Sequence, residues 1–222
     1  YSICTYVQIF STYVQFRFSP HQVTIDMTMK QLKEIQKLSP RDRVIAATLN
    51  LITHEGVDAV THRRVARLAG VSPGTTTHHF AGRAELLRES FLAYLEQMDE
   101  LMSNRMRDPN ITPMQAVRAG LIGLITKEFN NLPMLRAEYE LLLAASSDNI
   151  LAEAVKAWEA KAGWLLATEL EQAGVQSPTE SALTLINFTR GFELERLYKP
   201  SLGPDDFYRR LDNLLAGLCN PK

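Results

Sequence analysis

Between Thr61 and Arg83 the chain reads THRRVARLAGVSPGTTTHHFAGR, a run of hydroxyl, imidazole and guanidinium groups without a carboxylate. No Asp or Glu falls between Asp58 and Glu85, while four arginines, Arg63, Arg64, Arg67 and Arg83, do. Guanidinium groups neutralise and hydrogen-bond phosphate. Threonine hydroxyls and methyls suit backbone oxygens and base edges, including the thymine methyl. The chemistry implied is recognition of a polyanion.

Bond-making chemistry has far less to stand on. His21, His54, His62, His78 and His79 have no metal-ligand spacing, and the adjacent His78 and His79 cannot share one metal on a single helix face. Glu138/Glu140 and Glu193/Glu195 lie two apart, so each pair points to different faces of a helix. There is no Gly-rich phosphate loop and no nucleophile elbow. No enzyme activity, cofactor or metal is therefore expected. Cys4 and Cys219 stand near opposite ends, so no disulfide framework is expected and a reducing cytoplasm is the default expectation. No run of about eighteen apolar residues is present, so no membrane-spanning helix is expected.

Two short helices would position the polar run. Val60 and Val65 bracket Thr61 as a hydrophobic staple brackets an N-cap, so a helix starts at His62. Val65, Ala66 and Ala69 form its apolar stripe, with Arg63, Arg64 and Arg67 directed elsewhere. Gly70 suits the left-handed residue that stops a helix, Val71 plugs the core, and Ser72-Pro73 supplies a new cap and first position. This is the helix-turn-helix plan, whose second helix enters the DNA major groove. That second helix is intrinsically poor, because Thr75, Thr76 and Thr77 are β-branched. Neighbours must hold it, and its surface is its use.

An earlier helix starts at Ser39-Pro40-Arg41-Asp42, carries Ile45, Leu49 and Ile52 inward, and stops at Gly56. Phe80, Leu86 and Leu87 complete the three-helix core. A long helix with Leu86, Leu87, Phe91, Leu95, Met98 and Met102 buried runs from Arg83 to about Arg107. Helices then follow from the Thr112–Gln115 capping box to about Asn130, from Pro133 to about Ser146, and from Ile150 to Gln172. A second capping box at Ser177–Glu180 opens a helix to about Tyr198, and Pro204 begins the last, ending near Leu218. Gly191 inside a helix costs about 1 kcal/mol relative to Ala, which implies close approach at an interface or within the chain.

The N-terminal stretch differs. Residues 1–29 contain the near-repeat TYVQIFS–TYVQFRFS, and Tyr6, Val7, Ile9, Phe10, Tyr13, Val14, Phe16 and Phe18 favour strand. This leader is expected to lie outside the functional fold, as an extended reading frame ahead of Met27 or Met29. Lys30 to Leu38 predicts a basic amphipathic arm, whose lysines either touch the DNA backbone or minor groove or form a solvated face. Charge is segregated downstream: residues 40–84 carry six Lys/Arg against three Asp/Glu, and residues 85–222 carry fourteen against twenty. A basic reader joined to an acidic body would bind DNA through one end.

Residues 40–90 resemble the DNA-binding domain of the TetR family of bacterial transcriptional regulators. The resemblance rests on Thr61, Ala69-Gly70-Val71-Ser72, Gly74-Thr75, His79-Phe80 and Arg83. Thr76, Thr77 and His79 depart from it, standing where the family usually has Leu-Tyr and a further Tyr. It implies an all-α fold: a three-helix DNA-binding domain over residues 30–85, then a larger helical ligand-binding and dimerisation domain over 86–222. It further implies a homodimer through the last two helices, as a four-helix bundle, binding double-stranded operator DNA.

The DNA-contacting set is then Thr61, Arg63, Arg64, Ser72, Pro73, Gly74, Thr75, Thr76, Thr77, His79 and Arg83. Thr75, Thr77, His79 and Arg83 are assigned to phosphates, and Arg63, Pro73 and Thr76 to base edges. A small-molecule effector site in the body would draw on Glu138, Tyr139, Trp164, Asn187 and Arg190. The function implied is a cytoplasmic transcriptional regulator, a repressor released by a small, largely apolar effector. The alternative is a helical protein-interaction module without DNA binding, separable by salt-sensitive binding to random duplex DNA.

Overall fold

The computed structural model describes residues 15–19, 22–26, 38–106, 108–126, 129 and 131–219. Strands β1 (Gln15–Ser19) and β2 (Gln22–Asp26) form an antiparallel hairpin with Phe16 opposite Ile25 and Phe18 opposite Val23. The strand preference at Phe16 and Phe18 is met there; Tyr6, Val7, Ile9, Phe10, Tyr13 and Val14 lie outside the described residues. So does the expected basic arm, apart from Leu38, which is buried.

From Pro40 onward the described chain is helical, as an all-α body requires. The helices are α1 (Pro40–Glu55), α2 (His62–Ala69), α3 (Pro73–His79), α4 (Arg83–Met106) and α5 (Pro113–Thr126). They continue as α6 (Leu132–Ala144), α7 (Asn149–Gln172), α8 (Pro178–Tyr198) and α9 (Pro204–Cys219), with a 3-10 turn at Val57–Ala59. The chain divides into two compact units, residues 1–97 and 98–222.

In the first unit α1 is enclosed on nearly every side, with an unbroken buried run from Val44 to Ile52. Val65, Ala66 and Ala69 from α2, Phe80, and Leu86, Leu87 and Phe91 from α4 fill the same core. Arg41 pairs with Glu89 at 2.5 Å and lies over the Phe80 ring at 5.7 Å, tying the start of α1 to α4.

In the second unit α7 and α8 pack side by side, with α5 against both and α9 against α5. Leu121, Ile125, Leu135, Leu166, Leu170 and Phe207 are fully buried. Phe207 stacks on Phe188 with centroids 5.6 Å apart and meets Phe192 edge-on at 5.1 Å, so aromatic rings join α8 to α9. Arg196, only 2% exposed, donates to the carbonyl oxygens of Phe129 at 2.9 Å and Leu202 at 3.2 Å. Arg118 on α5 grips Asp212 on α9 with two hydrogen bonds of 2.6 and 3.2 Å.

Helix starts mostly follow local chemistry. Ser39 Oγ accepts from the Asp42 amide at 3.1 Å. Thr112 and Gln115 form the reciprocal box, at 2.8 and 3.3 Å. Asn131 caps α6 through the Met134 amide at 3.1 Å, and Asp148 caps α7, which begins at Asn149, one residue before the expected start. The expected box at Ser177 does not form. Ser177 sits at φ 54° and ψ 57° and makes no capping hydrogen bond, because a cap side chain reaches the first amides from extended backbone. Gly191 is exposed, and a Cβ there would meet nothing within 4 Å among the described residues, so packing against them does not explain it.

Candidate nucleic-acid interface

The α2–turn–α3 unit is built by caps. Thr61 Oγ1 accepts from the Arg64 amide at 3.3 Å and opens α2. Gly70, at φ 63° and ψ 38°, closes it. The Val71 amide returns to the Ala66 carbonyl at 3.0 Å and the Gly70 amide to Arg67 at 3.4 Å, the Schellman pattern. Ser72 Oγ then accepts from the Thr75 amide at 3.0 Å, with Pro73 at the first position of α3. These bonds fix a helix that its threonines would not sustain alone.

The outward surface of the unit carries Thr61, Arg63, Ser72, Pro73, Gly74 and Thr77, all exposed. Thr77 Oγ1 donates back to the carbonyls of Pro73 and Gly74, leaving its methyl and lone pairs on the surface. Thr75 is half-buried, its hydroxyl 2.9 Å from that of Ser72. His79 is half-buried, edge-on to the rings of His78 at 5.3 Å and Phe80 at 6.3 Å.

Three expected contact residues are employed within the protein. Thr76 is fully buried, so its assignment to a base edge is corrected. One turn before Phe80, it faces the core with that ring. Arg64 makes a two-pronged pair with Glu55 at 2.6 and 2.7 Å and reaches the Ala59 carbonyl, which fastens α2 to the end of α1. Arg83 donates to the carbonyls of Val60 at 3.0 Å and Val57 at 2.8 Å, so it holds the α1–α2 connection. Conversely, Arg67 and His78 are exposed on this surface and were not in the expected set. Arg67 follows Arg63 by four residues and His78 follows Gly74 by four, a helical repeat that would have found both.

The body candidates do not converge on one cavity. The Tyr139 hydroxyl donates to Glu193 Oε2 at 2.8 Å and lies 3.1 Å from the Arg190 carbonyl. The Arg190 side chain pairs with Glu159 at 2.5 Å. Glu138 is half-buried and partnered, and Asn187 faces outward. Trp164, 66% exposed, lines an open groove of about 480 Å³ between α7 and α8, which the other four do not line. Among the described residues no group of three or more His, Cys, Asp or Glu could hold a metal ion, and no helix is long and apolar enough to cross a membrane.

Comparison with known proteins agrees with this architecture. Residues 44–90 match the bacterial regulatory proteins of the tetR family, and residues 112–220 match the tetracyclin repressor-like C-terminal domain. The chain belongs to the TetR family of bacterial regulatory proteins. It is 31% identical over 83 residues to the HTH-type transcriptional regulator BetI 1 of Chromohalobacter salexigens, a match spanning 37% of this chain and 41% of that relative's length. A transcriptional regulator from Rhodococcus sp. Rha1 has the same fold, with a TM-score of 0.72 at 21% identity over 82% of this chain and 96% of its own. The multidrug binding protein EbrR complexed with proflavin has a TM-score of 0.57 at 24% identity, over 80% of this chain and 99% of its own.

Proposed function

We propose that the protein is a sequence-specific DNA-binding transcriptional regulator that acts as a homodimer in the cytoplasm. The observation that carries this reading is the exposed, carboxylate-free surface of α2 and α3, where Arg63, Arg67, Pro73, Gly74, Thr77 and His78 stand together. Arg63 and Arg67, one helical turn apart, suit phosphate or guanine; the short residues of α3 let its backbone approach the groove floor. One such reader covers too few base pairs for strong specificity. Two of them on successive major grooves, about 34–36 Å apart, would suffice.

Repression relieved by a small apolar effector accords with the family and with the helical second unit. A structural neighbour bound to proflavin supports a small-molecule effector in kind. By linkage, an effector that lowers DNA affinity must itself bind less tightly when DNA is present, by the same factor.

The test is selection of bound duplexes from random sequence, followed by binding at graded salt. The expected result is a two-fold symmetric site whose affinity falls steeply with salt. Arg67→Ala should weaken binding to all sequences alike and reduce the salt slope by about one unit. Arg63→Ala should relax preference at particular base pairs at a cost of about 1–3 kcal/mol. Failure to enrich any sequence, together with binding indifferent to salt, would overturn the reading.

A further inference from the structure

Helix α3 presents two short rows to the outside, Pro73 with Thr77 and Gly74 with His78, each pair one turn apart and every member exposed. What the Thr77 hydroxyl does sets the chemistry of this face. Thr77 Oγ1 lies 3.3 Å from the Pro73 carbonyl oxygen and 3.1 Å from that of Gly74. Carbonyl oxygens only accept, so the single hydroxyl proton is committed to its own helix. Phosphate oxygens, thymine O4 and guanine O6 and N7 also only accept, and Thr77 has no proton left to give them. The other two threonines supply no substitute: Thr75 Oγ1 is bonded to Ser72 Oγ at 2.9 Å, and Thr76 is buried.

The face therefore offers chiefly carbon. Pro73 contributes a ring without an amide proton, Gly74 a bare Cα, and Thr77 its methyl group. A Cβ on Gly74 would meet only Ser72 Oγ among the described residues, at 3.6 Å, which is ordinary contact. Packing within the fold does not demand glycine there, whereas close approach of an outside surface does. Charge and hydrogen-bond donors come instead from α2, where Arg63 and Arg67 are exposed.

We infer that Thr77 reads DNA through its methyl group, set against the 5-methyl group of a thymine in the major groove, with the Pro73 ring beside it. This rests on the DNA-binding reading above and deepens it by naming what each half-site must carry. Thymine is the one standard base that shows an apolar group in the major groove. Uracil lacks that group, and 5-methylcytosine carries it at the same ring position. A methyl reader responds to the group and not to the base that bears it, so modification of cytosine at this position should strengthen binding.

The test uses duplexes selected from random sequence on the unaltered chain. Thymines of the enriched half-site are replaced singly by uracil, then by cytosine and by 5-methylcytosine, each opposite guanine. At one thymine per half-site, uracil should cost about fourfold in affinity, the worth of burying one methyl-sized group, and 5-methylcytosine should exceed cytosine by the same factor. Thr77→Ser keeps the hydroxyl and should erase both preferences. Thr77→Val keeps a methyl in place without the hydroxyl and should preserve them. A half-site without thymine, or one whose thymines all bind equally well as uracil, would overturn the methyl reading and leave DNA recognition standing. So would a Thr77→Ser chain of unchanged helical content that still prefers thymine to uracil. Failure to enrich any sequence, with binding indifferent to salt, would remove both readings.

Discussion

Threonines 75, 76 and 77 have the same side chain and three different situations. Thr77 is exposed, Thr75 is half-buried against Ser72, and Thr76 is sealed in the core with its hydroxyl unpartnered among the described residues. A buried hydroxyl without a partner costs about 1–3 kcal/mol relative to a satisfied one. Thr76→Val keeps the branched shape and removes that atom, so it should stabilise the chain by about 1 kcal/mol. The shift would be read from the denaturation midpoint, with DNA affinity unchanged; lost affinity would return Thr76 to the contact surface. The residue types of this segment were legible as a phosphate-binding set, whereas the rotation of a seven-residue helix was not. Arg64 and Arg83 were equally opaque, since their partners, Glu55 and the Val57 and Val60 carbonyls, are set by how α1 packs on its neighbours.

Elements were read more securely than residues because caps and periodicity act locally. Gly70, Ser72 and Pro73 alone nearly determine the turn between α2 and α3. Ser177 shows where local rules stop: the pattern Ser-Pro-Thr-Glu fits a box, yet the left-handed backbone at Ser177 turns its side chain away. Pairing between elements lies further out of reach, as with Arg118 and Asp212. Hydrogen bonds from Arg118 hold the Asp212 carboxyl below its ordinary value of 3.8, and the same contact raises Arg118.

A carboxylate whose folded pKa is depressed stabilises the fold fully above its unfolded value and loses that contribution as pH falls through the folded value. Stability should therefore decline on acidification below about pH 4 partly through this pair, and Asp212→Asn should remove that part of the dependence. Both side chains are well exposed, at 40% and 50%, so solvent screening limits the effect to under about 1 kcal/mol. Parallel pH–stability curves for the two proteins would discard the assignment.

At the scale of the molecule, the all-helical body was legible because proline and capping residues punctuate it from Pro40 to Pro204. What its helices enclose was not, because Glu138, Tyr139, Trp164, Asn187 and Arg190 were chosen for polarity within apolar runs. That pattern does not separate an inward face from an outward one. Trp164 and Asn187 turned out to face outward.

The buried Arg196 has a kinetic consequence. One guanidinium holds the backbone at Phe129 and at Leu202, segments far apart in sequence, as a reversible cross-link would. Two stretches held by one charged donor should open together in a single local-unfolding event, because neither carbonyl retains its bond once the donor leaves. Arg196→Met preserves much of the stem and removes both bonds. Brief digestion of that variant by a broad-specificity protease, followed by mass spectrometry, should yield cuts near Phe129 and near Leu202 at matching rates, both faster than in the unaltered chain. A variant nicked early at one of these positions and slowly at the other would show that the segments breathe independently.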